Sequence, residues 1–285
     1  MKNKNLKSIL KEKMQPQEIG SLIKSYDIIG DIAIIRVPEN LECQSQIIAD
    51  AIMQTHKHVK TVLRQASAVL GEYRLRQLEW VMGEKKTETV HKEFGCVFKV
   101  DLEKCYFSPR LSFERMRIAK LTKAGEVVVN MFAGVGTFSI LMAKHSSLEK
   151  VHSIDINSDA VQYMRENIWL NRVQSKVVPI LGDAKHVITE RFRNVADRVI
   201  MPLPEKACEY LDHAIVALKP VGGWIHCYDF ERARRDESPV DMAKVKVGRK
   251  LEELSADYET VFGRVVRATG PYWYQVVLDI CAHKK

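Results

Sequence analysis

Four residues, Gly134, Gly136, Asp155 and Asp183, have the types and the spacing needed to bind a nucleoside. The two glycines follow the β-branched run 127–129, which predicts a fully buried parallel strand, and a helix-compatible pattern comes after them. This order lets a ligand approach backbone N–H groups at the start of the helix. Asp155 ends the next predicted strand, 19 residues after Gly136, where an acid can accept from both ribose hydroxyls.

The glycine turn also bears on which nucleoside is bound. Dinucleotide sites use a third glycine, which lets the helix place its first turn on the pyrophosphate, but this chain has Ser139 there. S-adenosylmethionine (SAM) has no pyrophosphate. A third strand ends in Asp183, where a carboxylate can accept from an adenine amino group, and a fourth strand, 196–201, ends at a Pro-Leu-Pro segment. The pattern favours SAM over NAD, with helix capping as the alternative for both acids.

Length and charge indicate two domains and a polyanionic partner. A chain of 285 residues is long for one domain. Of its net charge of +8, residues 1–125 carry +7, from 22 basic against 15 acidic side chains, and residues 126–285 carry +1, from 22 against 21. This distribution predicts that the N-terminal part contacts nucleic acid, although an ordinary solvated surface would show the same excess.

Hydropathy and cysteine usage suggest where the protein acts. The sequence has no apolar run approaching about 18 residues and no hydrophobic signal segment, so we expect a soluble cytoplasmic protein that is not exported and does not enter a membrane. Its six cysteines are scattered, without C-x-x-C or Cys/His ligand spacing. We therefore expect neither disulfides nor a metal site.

Periodicity predicts a small α+β domain over residues 1–101 and a second domain over 102–285. The first contains a strand at 28–37 with a turn at Gly30-Asp31, a helix at 42–56, and three further strands at 59–63, 86–93 and 94–101. The second continues the alternation of strands and helices and ends in an antiparallel strand pair, with further elements at 108–123, 205–218, 224–229, 240–256, 261–268 and 274–280.

One block, Tyr106-Phe-Ser-Pro-Arg-Leu111, carries a family resemblance. With the segments 71–76, 83–96, 130–136, 201–207 and 226–230, it resembles the archaeal and eukaryotic-type tRNA (guanine-37-N1)-methyltransferases over roughly residues 60–282. The resemblance implies a doubly wound, Rossmann-like SAM methyltransferase sheet preceded by a small α+β RNA-binding domain. It also implies that the protein uses SAM to methylate N1 of guanine 37 in the tRNA anticodon loop. We expect the protein to be a monomer.

The chemistry of that reaction calls for a base and a cation. Guanine N1 carries a proton in the neutral base, and negative charge develops on O6 as that proton leaves. The resemblance assigns the base to Glu114, the O6 contact to Arg74 and a further substrate contact to Arg110. The alternative for Glu114 is an exposed helix residue paired with Arg117 or with neighbours of Ile118. The alternative for Arg74 is a surface or phosphate-facing arginine, and Arg76 competes for its role.

The resemblance also implies a set of cofactor-binding residues around the strand ends. Tyr106 is expected near the methionine moiety or the flipped base. The full set is Tyr106, Phe132, Gly134, Val135, Gly136, Asp155, Ile156, Asp183, Ala184, Pro202 and Pro204.

Pro202 departs from the family pattern, because many members have an asparagine there and proline has no side-chain amide. Three alternatives stay open at this point. The first is a related aminocarboxypropyl transferase of wyosine synthesis, which transfers a different arm of SAM. The second is a bifunctional methyltransferase that also acts on a wyosine intermediate. The third is a non-catalytic RNA-binding protein with a decayed SAM fold.

Overall fold

The computed structural model describes residues 6–21, 26–68 and 71–284, and the chain forms two compact units, one ending at Arg110 and one beginning at Leu111. The sequence predicted the boundary after Asp101, nine residues before the end of the first unit at Arg110. The intervening segment contacts the first unit, since the ring of Phe107 lies 5.2 Å from that of His91 and Arg110 Nε lies 2.6 Å from Asp27 Oδ1.

The N-terminal unit contains a four-stranded sheet in the order β1-β2-β3-β4 and a separate β5-β6 hairpin. Helices α1 and α3 contribute to its apolar core, which includes Ile48, Ile52 and Val62. The element bounds are α1 Leu6–Lys13, α2 Pro16–Ser21, β1 Asp27–Ile29, β2 Ile32–Ile35, α3 Ser45–Thr55, β3 Thr61–Gln65, β4 Leu78–Gly83, β5 Glu88–Glu93 and β6 Cys96–Asp101.

The turn predicted at Gly30-Asp31 is confirmed. It separates β1 from β2, which pair antiparallel, and Gly30 has a φ of +57°. A Cβ on Gly30 would lie 2.2 Å from Thr89 Oγ1, so no other residue fits this turn without displacing the hairpin. Helices α1 and α2 and strand β4 were not predicted. Strand β4 is an edge strand with no buried residue, so it lacks the alternating apolar pattern of a half-buried strand.

The C-terminal unit is a seven-stranded sheet in the order β12-β13-β11-β10-β7-β8-β9. Strands β7 to β11 run parallel, whereas β13 is antiparallel to both neighbours, as predicted for the last strand pair. The doubly wound fold is confirmed, with β7 between β10 and β8. Val128 and Val129 of β7 are fully buried, as the β-branched run predicted.

Helix α5 contacts both α4 and α6, and helix α8 contacts both α7 and α9. The helix predicted over 205–218 is interrupted, since residues 207–210 form a 3₁₀ turn before α8. The bounds are α4 Ser112–Leu121, β7 Val127–Asn130, α5 Thr137–His145, β8 Lys150–Asp155, α6 Ser158–Asn171, β9 Val177–Leu181, α7 Ala184–Arg191, β10 Arg198–Met201, α8 Leu211–Ala217, β11 Gly223–Arg232, α9 Pro239–Glu253, β12 Ala256–Gly270 and β13 Trp273–Lys284. Within the described ranges, no helix is long and apolar enough to cross a membrane.

Candidate active site

The loop between β7 and α5 depends on both of its glycines. Gly134 has a φ of +56° and Gly136 a φ of +88°, a region that side chains disfavour. Gly136 is the residue before α5, and a Cβ there would lie 2.8 Å from Met164 Cγ. A Cβ on Gly134 would meet no atom within 4 Å. Gly136 therefore serves close packing, and Gly134 leaves the loop backbone open to a ligand.

Asp155 ties this loop to the end of β8. Its Oδ2 accepts from Gly134 N at 2.6 Å and its Oδ1 from Asn157 N at 2.9 Å. Burial raises the pKa of Asp155, and these backbone N–H groups oppose that shift. The side chain of Asn157 caps α6, so the capping alternative is wrong for Asp155.

Asp183 does cap a helix. Its Oδ1 accepts from Lys185 N at 2.8 Å in the first turn of α7, and its Oδ2 accepts from the Tyr210 hydroxyl at 3.3 Å. The capping alternative is thus confirmed for this residue. The adenine contact stays a prediction.

The other expected cofactor residues of this unit also follow the carboxyl ends of β7 to β10. Because these strands are parallel neighbours, the residues after them share one edge of the sheet. The Phe132 ring lies 5.0 Å from that of Tyr210, edge to face. The set comprises Phe132 and Val135 after β7, Ile156 after β8, Ala184 at the start of α7, and Pro202 and Pro204 after β10.

Glu114 is a buried carboxylate, with 1% of its surface exposed, in the first turn of α4. Its Oε1 accepts from the Tyr228 hydroxyl at 2.7 Å and from Arg117 Nη2 at 2.8 Å, and Arg264 Nη2 lies 3.0 Å from Oε2. Burial and the neighbouring Glu114 raise the pKa of Tyr228, so its hydroxyl remains a donor. The alternative interpretation of Glu114, an exposed glutamate paired with Arg117, is therefore half right. The ion pair with Arg117 is present, but the glutamate is buried.

The contacts of Glu114 continue into the sheet as a chain of buried polar groups, which we call the Glu114 network. Arg117 Nη1 donates to Asp279 Oδ2 at 2.5 Å, and the Nδ1 of His226 lies 2.6 Å from Asp279 Oδ1. On its far side, His226 meets Arg198, whose Nε donates to Glu126 Oε2 at 2.7 Å. The network comprises Glu114, Arg117, Glu126, Arg198, His226, Tyr228, Arg264 and Asp279.

Sequence reasoning missed the partners of Glu114 other than Arg117. The i,i+3 spacing of Glu114 and Arg117 was a usable signal for a helix pair. His226 and Tyr228 alternate on a predicted strand within a segment of the family resemblance. Nothing in the sequence placed Asp279 or Arg264 near α4.

Three predicted site residues, Arg74, Tyr106 and Arg110, belong to the N-terminal unit, as does the competing candidate Arg76. Arg74 has a φ of +55°, and its guanidinium lies 4.4 Å from the centre of the Tyr106 ring. Arg110 forms the ion pair with Asp27. Arg76 donates to Gln65 Oε1 at 3.3 Å, and burial lowers its pKa. Arg76 is thus a packed residue, whereas Arg74 stacks on an aromatic ring that was itself predicted to line the site.

The C-terminal unit has a mostly parallel sheet, with a glycine loop and strand-end acids at one edge. It also buries a carboxylate that accepts several hydrogen bonds. Together these features define a nucleoside-binding α/β protein of the methyltransferase class. The TRM5/TYW2 methyltransferase domain model matches residues 89–256, and the TYW2 N-terminal domain model matches residues 6–87. The chain belongs to the TRM5/TYW2 methyltransferase family.

Two named relatives align with most of the chain. It is 43% identical over 265 residues to the tRNA (guanine(37)-N(1))-methyltransferase Trm5b of Pyrococcus abyssi, covering 93% of this chain and 77% of the relative. It is 39% identical to the tRNA 4-demethylwyosine(37)-methyltransferase Taw21 of Saccharolobus solfataricus, covering 98% of this chain and 100% of the relative.

Solved structures of Trm5 and TYW2 proteins also superpose on this chain. The complex of aTrm5 with tRNALeu superposes with a TM-score of 0.84 at 35% identity, covering 99% of this chain and 79% of that one. The Methanocaldococcus jannaschii TYW2 in complex with AdoMet superposes with a TM-score of 0.67 at 30% identity, covering 92% of this chain and 100% of that one.

Proposed function

We propose that this chain transfers the methyl group of SAM to N1 of guanine 37 in the tRNA anticodon loop. The observation that carries the proposal is the buried Glu114 carboxylate, held by Tyr228 and Arg117 in a unit with a SAM-type sheet. The names of the Pyrococcus relative and of the tRNA-bound structure support tRNA as the substrate.

The residues at the sheet edge suit SAM as the cofactor. Gly134 leaves its loop open. Asp155 is proposed to bind the ribose hydroxyls, and Asp183 the adenine amino group. The remaining cofactor residues are Tyr106, Phe132, Val135, Gly136, Ile156, Ala184, Pro202 and Pro204. When bound, SAM supplies an electrophilic methyl group on a sulfonium. The AdoMet complex of the Methanocaldococcus relative supports this assignment.

Glu114 is proposed as the base that accepts the N1 proton, which requires one of its present donors to give way. Arg264 is the most exposed of these donors, with 28% of its side chain accessible against 15% for Arg117. We expect Arg264 to move away from Oε2, while Tyr228 and Arg117 continue to donate hydrogen bonds to Oε1.

Arg74 is proposed to stabilise the charge that develops on guanine O6. A planar guanidinium suits this task, and the Tyr106 ring, 4.4 Å away, is proposed to hold it in position. Arg110 would contact the substrate after releasing Asp27. Action as a cytoplasmic monomer stays a prediction.

Mass spectrometry of tRNA nucleosides tests the proposal. The full chain is incubated with SAM and a transcript carrying guanine at position 37, and 1-methylguanosine is the expected product. A transcript with adenine at position 37 is the matched control and gains no methyl group. A product heavier by an aminocarboxypropyl group, or no product with SAM bound, would contradict the proposal.

Methylation of 4-demethylwyosine is a second candidate, favoured by one residue and one relative. Pro202 has no side-chain amide, whereas the family resemblance implies an asparagine there, so we infer that another group helps to select the base. The Saccharolobus relative is named for 4-demethylwyosine at position 37. The same assay on tRNA carrying 4-demethylwyosine distinguishes the two substrates, and activity on both would indicate a bifunctional enzyme.

A further inference from the structure

The guanidinium of Arg117 is fixed between two carboxylates. It donates to Glu114 through Nε and Nη2, and to Asp279 through Nη1 at 2.5 Å and Nη2 at 3.0 Å. Burial alone would raise the pKa of Asp279, but the hydrogen bonds from His226 and Arg117 and the positive charge of Arg117 outweigh it and hold the pKa well below its usual range. Asp279 is therefore an anion whose two oxygens both hold Arg117.

His226 in turn fixes Asp279, and its own protonation state follows from its neighbours. The Arg198 guanidinium can only donate, so the Nε2 of His226 must accept from it. The ring proton therefore lies on Nδ1 and is donated to Asp279 Oδ1 at 2.6 Å. Burial lowers the pKa of His226, although Asp279 acts in the opposite direction, so the fully buried ring is neutral with a single tautomer.

We propose that Asp279 and His226 are positioning residues for methyl transfer, which act by holding Arg117 and through it the Glu114 carboxylate. This inference rests on the proposed function of Glu114 as the base. Neither residue contacts Glu114 directly, and they come from β13 and β11, whereas Glu114 lies on α4. The sheet thus sets the orientation of a carboxylate carried by a helix. Charge-assisted, bidentate contacts suit this role because they fix angle as well as distance.

The Asp279→Asn variant tests this. Its amide keeps the shape of the side chain but presents an N–H group toward Arg117. We expect the single-turnover rate constant at saturating SAM and tRNA to fall about 10- to 100-fold, because small misplacements of a reacting group cost that much. Binding of SAM, by calorimetry, and of tRNA, by filter binding, should change less than twofold.

Asp229→Asn is the matched control. Asp229 is also a buried carboxylate in this sheet, paired with Lys246 at 2.8 Å, and it is not part of the Glu114 network. We expect it to lose stability with little change in the rate constant. An Asp279→Asn variant that transfers methyl at the parental rate, or no more slowly than Asp229→Asn, overturns the inference.

A double variant separates positioning from general damage. Glu114→Gln alone should slow transfer by about 10²- to 10⁴-fold, because the amide cannot take the proton. Adding Asp279→Asn to it should cost less than twofold more, since no base remains to be oriented. An equal loss in both backgrounds overturns the inference. If Glu114→Gln itself transfers at the parental rate, it is the proposed function that fails in its choice of base.

Variants of His226 give a second route if Asp279→Asn does not fold. His226→Asn keeps an N–H donor near Asp279, and His226→Leu removes it. We expect His226→Asn to retain at least about a third of the parental rate constant and His226→Leu to lose about tenfold. Equal rate constants in the two variants would contradict the positioning role.

Discussion

At the scale of single residues, Glu114 shows how a charged group is tolerated inside this fold. An isolated carboxylate is costly to bury, and the cost is offset only when its lone pairs are filled by good donors. Tyr228, Arg117 and Arg264 fill them here. Removing one partner of such a group leaves the others buried and unpaired, so each of these contacts matters for stability as well as for chemistry.

Asp155 offers a test of the cofactor site at this scale. We expect Asp155→Ala to weaken SAM binding by about 1–3 kcal/mol, because the proposed ribose hydrogen bonds are lost and Gly134 N loses its acceptor. Isothermal titration calorimetry measures the change. Asp197→Ala is a suitable control, since that carboxylate pairs with Lys219 instead. Parental SAM affinity in Asp155→Ala would remove the residue from the site.

The limits of sequence reasoning are clearest at Glu114 and Asp279. The motif around Tyr106 and Arg110 led to Glu114 as a candidate base, and the strand-end acids followed from periodicity. The link from Arg117 to Asp279 spans 162 residues and depends on the pairing of β13 with β11. Local patterns do not specify that register, so neither the network nor the burial of Glu114 could be read from them.

At the scale of elements, Asp183 has two roles to separate. It caps α7 in the structure and is proposed to contact adenine. We expect Asp183→Ala to destabilise the chain by about 0.5–2 kcal/mol through loss of the cap, and Asp183→Ser to restore most of that stability. Denaturant unfolding measures both variants.

The SAM affinities of the same two variants decide the second role. The shorter serine side chain can cap the helix, yet we expect it not to reach the adenine amino group. Weak SAM binding by both variants would support the adenine contact. If Asp183→Ser binds SAM as the parent does, the residue is a cap alone.

Most elements with a buried face were predicted, although α1, which buries Ile9 and Leu10, was not. The parallel strands β7 and β10 carry continuous apolar runs that identify them directly. Strand β4 and helix α2 have no such face, because β4 lies at a sheet edge and α2 spans only six residues.

At the scale of the whole molecule, charge is divided between the two parts of the chain. Residues 1–125 carry +7 of the net +8. We expect tRNA binding to weaken steeply between 50 and 200 mM salt, by a factor of at least about ten, because binding releases counterions from the phosphates. SAM binding over the same range should change little. Filter binding and calorimetry measure the two, and a tRNA affinity independent of salt would contradict a phosphate-directed surface.

The position of Asp279 has a consequence for synthesis of the protein on the ribosome. Glu114 and Arg117 are made early, whereas Asp279 belongs to β13, the last strand of the sheet in chain order. At about 5–20 residues per second, translation separates them by roughly 10–30 s. In the later part of that interval, once Asp183 has been made, a nascent chain contains the glycine loop and its acids, but the Asp279 contact of Arg117 cannot yet form. The residues proposed to hold the cofactor are therefore synthesised before the last residue of the Glu114 network.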